Sequence, residues 1–308
     1  MLKIALIGAG GFIGSEIAKY FSAKMYLVKY TKSRVGYSRK EYQSIDIGVD
    51  DFLKTELSHL HDCDFIYYLI GGKFRGIYTL EEQESRSVPE LNRLLDEIKT
   101  INGRKPKIVF MSSGGTVYGS SNCVATEDSA INPFGSYGKI KILLEKVLVD
   151  RSESCGYQYV ICRLSNPYGL GQLLGNAHGF ISQSLKNIKN GLPVIIPKDC
   201  EVYRDYMFID DLMIILDKIM DIKLVGVFNV CTGKSMSINS VVKIFQEEVS
   251  RSFQIIHSYN SETVKYNFLS NYKLLNSIGL MEFITVESGV RLMVRQLNIN
   301  EDNYSLHK

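Results

Sequence analysis

Several features that mark other classes of protein are missing from this 308-residue chain. The net charge at pH 7 is only +3, and no basic cluster alternates with aromatic residues, so we expect no nucleic-acid partner. The chain has no apolar run long enough to span a membrane, and its short N-terminal apolar stretch has no cleavage signal. We therefore expect a cytoplasmic protein that does not bind a membrane.

Paired cysteines are also missing. The six cysteines are scattered, without any Cys-x-x-Cys pair; they are Cys63, Cys123, Cys155, Cys162, Cys200 and Cys231. Such isolated cysteines are typical of reduced thiols in a cytoplasmic protein rather than of a disulfide framework. We expect no bound metal.

A glycine-rich segment follows the first predicted strand. Residues 2–7 are apolar, residues 8–14 have the sequence Gly-Ala-Gly-Gly-Phe-Ile-Gly, and residues 15–21 have the pattern of an amphipathic helix. Strand, glycine turn and helix in this order are typical of a Rossmann unit, because glycines let the backbone approach a pyrophosphate at the positive end of the helix. The alternative is a glycine turn that binds no ligand.

The second predicted strand, residues 25–30, ends without the acidic residue that normally binds the ribose of NAD, about twenty residues after the glycines. Three cations occupy this stretch instead: Lys29, Lys32 and Arg34. Their charges are suited to a ribose 2′-phosphate, which favours NADP(H) over NAD(H). The alternative is that they are ordinary solvated surface charges.

A second motif lies in the middle of the chain. Residues 112–119 have the sequence Ser-Ser-Gly-Gly-Thr-Val-Tyr-Gly, and Tyr137 and Lys141 follow at a spacing that places both on one face of a helix. There the lysine ammonium is expected to lower the pKa of the phenol toward neutrality. A phenol of this kind can move a proton on and off a sugar oxygen, so we predict that both residues are catalytic.

Strand and helix patterns alternate along most of the chain. Further strands are predicted to end at residues 46–47 and to cover residues 64–70, 108–111, 159–164 and 226–231, with a helix over residues 90–100. This predicts an α/β fold with a Rossmann-type doubly wound parallel sheet and a smaller α/β C-terminal lobe. We expect a dinucleotide-binding domain over residues 1–170, rejoined by about 208–232, and a substrate lobe over residues 171–207 and 233–308.

The motifs together resemble those of the extended short-chain dehydrogenase/reductases, the NAD-dependent epimerase/dehydratase family that includes UDP-galactose 4-epimerase. Two later segments add to the resemblance, Arg-Leu-Ser-Asn-Pro-Tyr-Gly at residues 163–169 and Arg-Asp-Tyr at residues 204–206. The resemblance covers nearly the whole chain. It implies a cofactor site that includes Gly8, Gly11, Phe12, Ile13, Gly14, Asp46, Ile47, Tyr137, Lys141 and Pro167, with Lys29, Lys32 and Arg34 added for a 2′-phosphate.

The same resemblance assigns residues to a nucleotide-sugar substrate. Asn166 and Arg204 are expected to contact its diphosphate, and a homodimer is expected because family members often dimerise through the helix of the Tyr-Lys pair. Two departures concern the substrate. The family's catalytic Ser or Thr falls at Gly114, so Ser113 or Thr116 must supply the hydroxyl, and the family's second arginine is missing between residues 255 and 271, where only Lys265 remains.

The cations of the second strand favour a net reductase, which consumes NADPH, over an epimerase, which keeps NAD bound. By resemblance we expect a 4-ketoreductase that reduces C4 of a dTDP-4-dehydro-6-deoxyhexose to a fucose-type dTDP-sugar, for the O-antigen of lipopolysaccharide. A UDP-glucose or UDP-N-acetylglucosamine 4-epimerase is the alternative. A 4,6-dehydratase is disfavoured because its acid-base pair would fall at Gly115 and Thr116, and a dinucleotide sensor would have no need of Tyr137 and Lys141.

Overall fold

The computed structural model describes residues 1–31, 44–48, 52–71, 79–174, 179–198, 202–221, 224–258 and 263–300. Its strands, in chain order, are β1 (Lys3–Ile7), β2 (Tyr26–Thr31), β3 (Ser44–Gly48), β4 (Phe65–Tyr68), β5 (Lys107–Ser113), β6 (Tyr159–Leu164), β7 (Asn166–Tyr168), β8 (Val194–Pro197), β9 (Tyr203–Phe208), β10 (Gly226–Val230), β11 (Ser235–Ser237) and β12 (Ile255–Ser258). Its α-helices are α1 (Phe12–Phe21), α2 (Leu80–Thr100), α3 (Gly114–Val117), α4 (Gly135–Cys155), α5 (Phe180–Lys189), α6 (Ile209–Asp221), α7 (Ile238–Glu248), α8 (Tyr272–Ile278) and α9 (Val286–Gln296).

Seven parallel strands form the main sheet, in the order β10-β6-β5-β4-β1-β2-β3. The direction of winding reverses between β1 and β4, and ligands of doubly wound sheets bind at the carboxyl edge beside such a reversal. The predicted Rossmann-type fold is confirmed, and so is the prediction that the strand near residue 226 returns to this sheet, because β10 pairs with β6.

Helix α2 begins at Leu80, so the prediction of a helix that begins near residue 90 is wrong. Pro89 lies inside the helix, although a proline lacks a backbone N–H and usually interrupts a helix. Thr79 and Glu82 instead form a capping box, with the Glu82 N–H donating to Thr79 Oγ1 at 3.1 Å and the Thr79 N–H donating to Glu82 Oε2 at 2.7 Å. The capping box therefore begins the helix more than two turns before Pro89.

Apolar side chains cover both faces of the main sheet. One face packs against α1, α6 and α8, and the other against α2 and α4. A third cluster joins α5, α7 and α9 to β8 and β9, with Phe245 and Val290 fully buried in it. Two small sheets accompany this cluster, β11-β9-β7 and β12-β8. The division into two domains near residue 170 stays a prediction.

The described parts of the chain contain no helix that is both long and apolar enough to cross a membrane. The cysteines within those parts are free thiols: Cys63, Cys123, Cys155, Cys162 and Cys231. Cys200 lies outside the described residues.

Candidate active site

The glycine segment forms a tight loop between β1 and α1. The N–H groups of Gly8 and Ala9 both donate to the carbonyl oxygen of Tyr30, at 3.0 and 3.2 Å, which ties the loop to the end of β2. Gly8 has a φ of +98°, a conformation that favours glycine. A Cβ atom at Gly14 would lie 2.4 Å from the carbonyl oxygen of Gly8, so only glycine lets α1 approach the loop this closely.

The loop fits the pyrophosphate of a dinucleotide. Gly11 is exposed, and a Cβ atom there would meet only the carbonyl oxygen of Gly8, at 3.5 Å. Helix α1 begins directly after it at Phe12 and has no acidic residue in its first turn, so the positive end of the helix is available to an anion. Phe12 and Ile13 lie in this first turn and pack against the core cluster beside α1.

The residues expected near the adenosine half of the cofactor lie on neighbouring strands. Lys29 of β2 pairs with Asp46 of β3, and Tyr30 pairs with Ile47. Lys32 and Arg34 lie outside the described residues. The strand register therefore brings Lys29 and Asp46 together at this end of the sheet, and the choice between NAD and NADP stays a prediction.

The candidate hydroxyl groups lie where β5 ends and α3 begins. Thr116 is 7% exposed, and its Oγ1 has no hydrogen-bond partner among the residues that the structure describes. The Oγ atom of Ser113 and the Oδ1 atom of Asn166 each lie 3.8 Å from the position of a Cβ atom on Gly115. Ser113 and Asn166 therefore flank the same glycine.

Gly114 has a steric reason to be glycine. A Cβ atom there would lie 2.9 Å from the carbonyl oxygen of Arg163 and 3.2 Å from that of Leu164. Both are backbone atoms of β6 in the core of the sheet, so they cannot move aside easily. The position at which the family is expected to carry its hydroxyl is closed to any side chain in this protein.

Helix α4 brings Tyr137 and Lys141 to this same edge. The helix approaches α3 at Gly138, where a Cβ atom would lie 3.3 Å from Thr116 Cβ, and the Phe134 N–H donates to the carbonyl oxygen of Thr116 at 2.8 Å. The backbone on both sides of Tyr137 is therefore held against Thr116. The Lys141 Nζ atom lies 5.6 Å from the centre of the Tyr137 ring.

The electrostatics differ from the prediction. Burial raises the pKa of Tyr137 to about 12, so the prediction of a phenol pKa lowered toward neutrality is wrong for this structure. Burial also lowers the pKa of Lys141 to about 8, an effect that the Glu145 carboxylate opposes. Lys141 is 3% exposed, and its Nζ donates to the carbonyl oxygen of Met111 at 2.9 Å. Loss of water around the phenol outweighs the nearby ammonium.

A buried ion pair beneath the site was missed by the sequence reasoning. Arg163 Nη2 lies 2.8 Å from Glu145 Oε2, and Ser112 Oγ donates to the same carboxylate. Arg163 Nη1 donates to the Tyr118 hydroxyl at 2.8 Å, which in turn donates to Asn229 Oδ1 at 2.7 Å. The sequence feature that could have indicated this ion pair is Glu145, which lies one helical turn after Lys141 and so on the same face of the helix.

The expected substrate residues meet on β7 and β9. Asn166 of β7 pairs with Tyr206 of β9, and Asn166 Nδ2 donates to the carbonyl oxygen of Asp205 at 3.0 Å. Arg204 Nη2 donates to Thr263 Oγ1 at 2.7 Å. Pro167 follows Asn166 in β7 and is half-buried. The structure thus places Asn166 and the backbone of Arg204 and Asp205 side by side.

Comparisons with known proteins agree with this fold. The sequence model of the NAD dependent epimerase/dehydratase family matches residues 4–231. A dTDP-4-dehydro-6-deoxyglucose reductase of Escherichia coli is 28% identical over 195 residues, which are 62% of this chain and 61% of that relative. A putative UDP-glucose 4-epimerase of Methanocaldococcus jannaschii is 30% identical over 314 residues, 96% of this chain and 99% of that relative.

Among solved structures, the UDP-glucuronic acid 4-epimerase of Bacillus cereus, in complex with UDP-glucuronic acid and NAD, has a TM-score of 0.84 at 19% identity. The alignment covers 96% of this chain and 99% of that one. The chain therefore belongs to the NAD-dependent epimerase/dehydratase family, whose members are nucleotide-sugar oxidoreductases and epimerases. The match to the reductase spans less than two thirds of that relative's length.

Proposed function

We propose that this enzyme is a nucleotide-sugar 4-ketoreductase that acts on a dTDP-4-dehydro-6-deoxyhexose. The product is a fucose-type dTDP-sugar for surface polysaccharide. The observation that carries the proposal is that the turn of α4 around Tyr137 packs against Thr116, with the Lys141 Nζ 5.6 Å from the centre of the Tyr137 ring. These side chains lie at the carboxyl edge of the sheet, as does the glycine loop that fits a dinucleotide.

The pKa values suit a reduction in which Tyr137 acts as an acid. When bound, NAD(P)H supplies a hydride to C4 of the sugar. A phenol with a pKa of about 12 is protonated at neutral pH, which is the state needed to donate a proton to O4. Lys141, with a pKa of about 8, is largely charged at neutral pH, and its ammonium stabilises the tyrosinate that proton donation leaves behind.

Thr116 orients the keto oxygen in this proposal. Its Oγ1 is buried and has no partner among the described residues, and a buried hydroxyl without a partner is costly unless a ligand satisfies it. Ser113 is the second choice, because it flanks Gly115 together with Asn166, a residue proposed to bind the diphosphate. Arg204 binds the diphosphate through its planar guanidinium. The hydrogen bond from Arg204 to Thr263 Oγ1 is then replaced by hydrogen bonds to the diphosphate.

Two observations favour reduction over epimerisation. Lys29 lies on β2, where an acidic residue normally binds the NAD ribose, and Lys32 and Arg34 follow it in the sequence. Three cations are suited to NADPH, the cofactor that a net reductase consumes. The second observation is the 28% identity to a reductase of E. coli. The second candidate, a UDP-sugar 4-epimerase with bound NAD, is favoured by the putative epimerase that matches over 99% of its length.

Two parallel assays separate the candidates. The purified protein is mixed with dTDP-4-dehydro-6-deoxyglucose and either NADPH or NADH, and the loss of absorbance is followed. Separately, it is mixed with UDP-glucose without added cofactor, and UDP-galactose is quantified. The proposal predicts stoichiometric NADPH loss, faster than NADH loss, and no interconversion of the UDP-sugars. Interconversion without net cofactor loss would establish the epimerase instead.

A homodimer in the cytoplasm is part of the proposal. The apolar residues of α4 do not by themselves support a dimer interface, because Ile140 and Leu144 are fully buried in the core and Leu143 and Val147 pack against the same cluster. Sedimentation of the purified protein tests the oligomeric state.

A further inference from the structure

One buried ion pair contacts both ends of the segment that carries the candidate hydroxyls. Ser113 and Thr116 lie between Ser112, which donates to the Glu145 carboxylate, and Tyr118, which accepts from Arg163 Nη1 at 2.8 Å. Glu145 and Arg163 form two further contacts with each other at 3.2 Å, through Arg163 Nε. Both ends of the hydroxyl-bearing segment are therefore anchored to the same pair of charges.

The pair also fixes α4, the helix of Tyr137 and Lys141. Two successive turns of α4 bond to two successive residues of β5, because Lys141 donates to the Met111 carbonyl oxygen at 2.9 Å and Glu145 accepts from Ser112. These contacts set how α4 is rotated and translated relative to β5. A lateral displacement of the phenol by an ångström would cost a large part of the rate in a proton transfer.

Stabilisation of the fold alone does not explain why Glu145 and Arg163 form a buried ion pair. Glu145 and Arg163 are 5% and 6% exposed, and buried ion pairs often contribute less to stability than apolar residues of similar volume. The side-chain contacts of this pair, in contrast, lead mostly to elements of the site, namely β5 through Ser112 and the end of α3 through Tyr118. Arg163 Nη1 also donates to the carbonyl oxygen of Glu127 at 3.5 Å, and the Tyr118 hydroxyl donates onward to Asn229 Oδ1.

We propose that Glu145 and Arg163 are positioning residues that hold Tyr137 and Lys141 in register with Ser113 and Thr116. This inference rests on the proposed function of Tyr137 and Lys141. Neither Glu145 nor Arg163 is proposed to touch the substrate.

The charges around Lys141 provide a readout of this positioning that a merely structural role would not change. Tyr137 and Glu145 face it from α4, the Met111 carbonyl oxygen and the Phe110 ring face it from β5, and Arg163 approaches from β6 through Glu145. Glu145 opposes the fall in the pKa of Lys141 that burial causes. Replacing this carboxylate with an amide removes the opposing charge and leaves Arg163 as an uncompensated cation, and both changes lower the pKa of Lys141 further.

The test compares Glu145→Gln with the wild-type enzyme and with Glu153→Gln, an exposed substitution on the same helix. Hydride transfer is measured against pH with whichever sugar the wild type accepts, and NAD(P)H dissociation constants are measured against pH by fluorescence. For Glu145→Gln we expect the alkaline loss of rate to shift down by about one pH unit, and kcat at pH 8 to fall about tenfold with KM changed less than about threefold. Glu153→Gln should behave as wild type.

Tyr118→Phe keeps the test decisive if Glu145→Gln does not fold. It removes only the hydroxyl between Arg163 and Asn229, so kcat should fall about threefold or more without a shift in the pH profile. Wild-type kinetics in Tyr118→Phe, or an unshifted pH profile in a folded Glu145→Gln, would overturn the inference. If the wild type transfers hydride to no sugar, the proposed function fails, while the pH dependence of cofactor binding still tests the effect of Glu145 on Lys141.

Discussion

The ammonium of Lys141 lies 5.6 Å from the ring centre of Tyr137 and donates its hydrogen bond to the backbone of Met111. In this arrangement the lysine does not make the phenol acidic, since burial raises the pKa of Tyr137 to about 12. Burial instead keeps a proton on the phenol, and in the proposed reduction the phenol gives this proton to a substrate oxygen. The ammonium then stabilises the tyrosinate that forms, which is the state in which its charge matters.

Replacing Tyr137 with Phe should abolish sugar reduction while leaving the cofactor bound. The substitution removes the proton donor but keeps the ring, so kcat should fall by about a thousandfold or more, and the NAD(P)H dissociation constant should change by less than about threefold. Tyr272→Phe is the matched control, because Tyr272 is 73% exposed on α8. Substantial turnover in Tyr137→Phe would mean that another group donates the proton.

Thr116→Val should lower kcat by about a hundredfold, because the isosteric methyl group cannot bond to the keto oxygen. Thr116→Ser should recover most of the activity. Ser113→Ala, measured alongside, should have a smaller effect on kcat, since Ser113 is only half-buried whereas Thr116 is buried against α4. If Ser113→Ala proves the more damaging of the two, the roles of the hydroxyls are exchanged.

Gly114→Ala should destabilise the protein, because its methyl group would lie 2.9 Å from the Arg163 carbonyl oxygen. We expect the free energy of unfolding to fall by about 1–3 kcal/mol, measured by denaturant titration. Gly115→Ala is the matched control on the same helix, since its methyl group would meet nothing closer than 3.8 Å and should change the stability by less than about 1 kcal/mol. Equal free energies of unfolding for the two variants would show that β6 moves to accommodate the added methyl group at position 114.

The rate of reduction should fall as the pH rises through the pKa of Lys141, which burial lowers to about 8. Below that pH the side chain is a cation that stabilises the tyrosinate, and above it the charge is lost, so kcat/KM decreases on the alkaline side. The profile is measured between about pH 6 and pH 10. Lys139→Met, an exposed change on α4, should leave it unaltered, whereas a flat wild-type profile would exclude a role for the Lys141 charge.

Much of the fold could be predicted because its signals are local. The apolar run before Gly8, the glycine loop and the apolar strand at β6 each show in a few consecutive residues, and the structure places β1 and β6 where they were expected. The early start of α2 could not be predicted in the same way, because Pro89 is the stronger local signal and the capping box at Thr79 lies ten residues upstream of it.

The site could be predicted only where the catalytic residues lie close together in the sequence. Tyr137 and Lys141 are four residues apart on one helix, so their proximity follows from helical geometry. The direction of the Tyr137 pKa shift depends on burial by distant elements. The ion pair of Glu145 with Arg163 joins a helix to a strand, and the closed position at Gly114 depends on carbonyl oxygens of β6; neither is visible in the sequence.

In the proposed reaction a hydride reaches C4 of a nucleotide sugar while Tyr137 protonates O4, and isotope transfer tests this step. The enzyme is incubated with dTDP-4-dehydro-6-deoxyglucose and NADPH carrying deuterium at the transferable position, and the product is examined by NMR. We expect one deuterium at C4 of the reduced sugar for each NADPH consumed, and none with Tyr137→Phe. Deuterium at another carbon, or conversion of a UDP-sugar without any transfer from added NADPH, would contradict it.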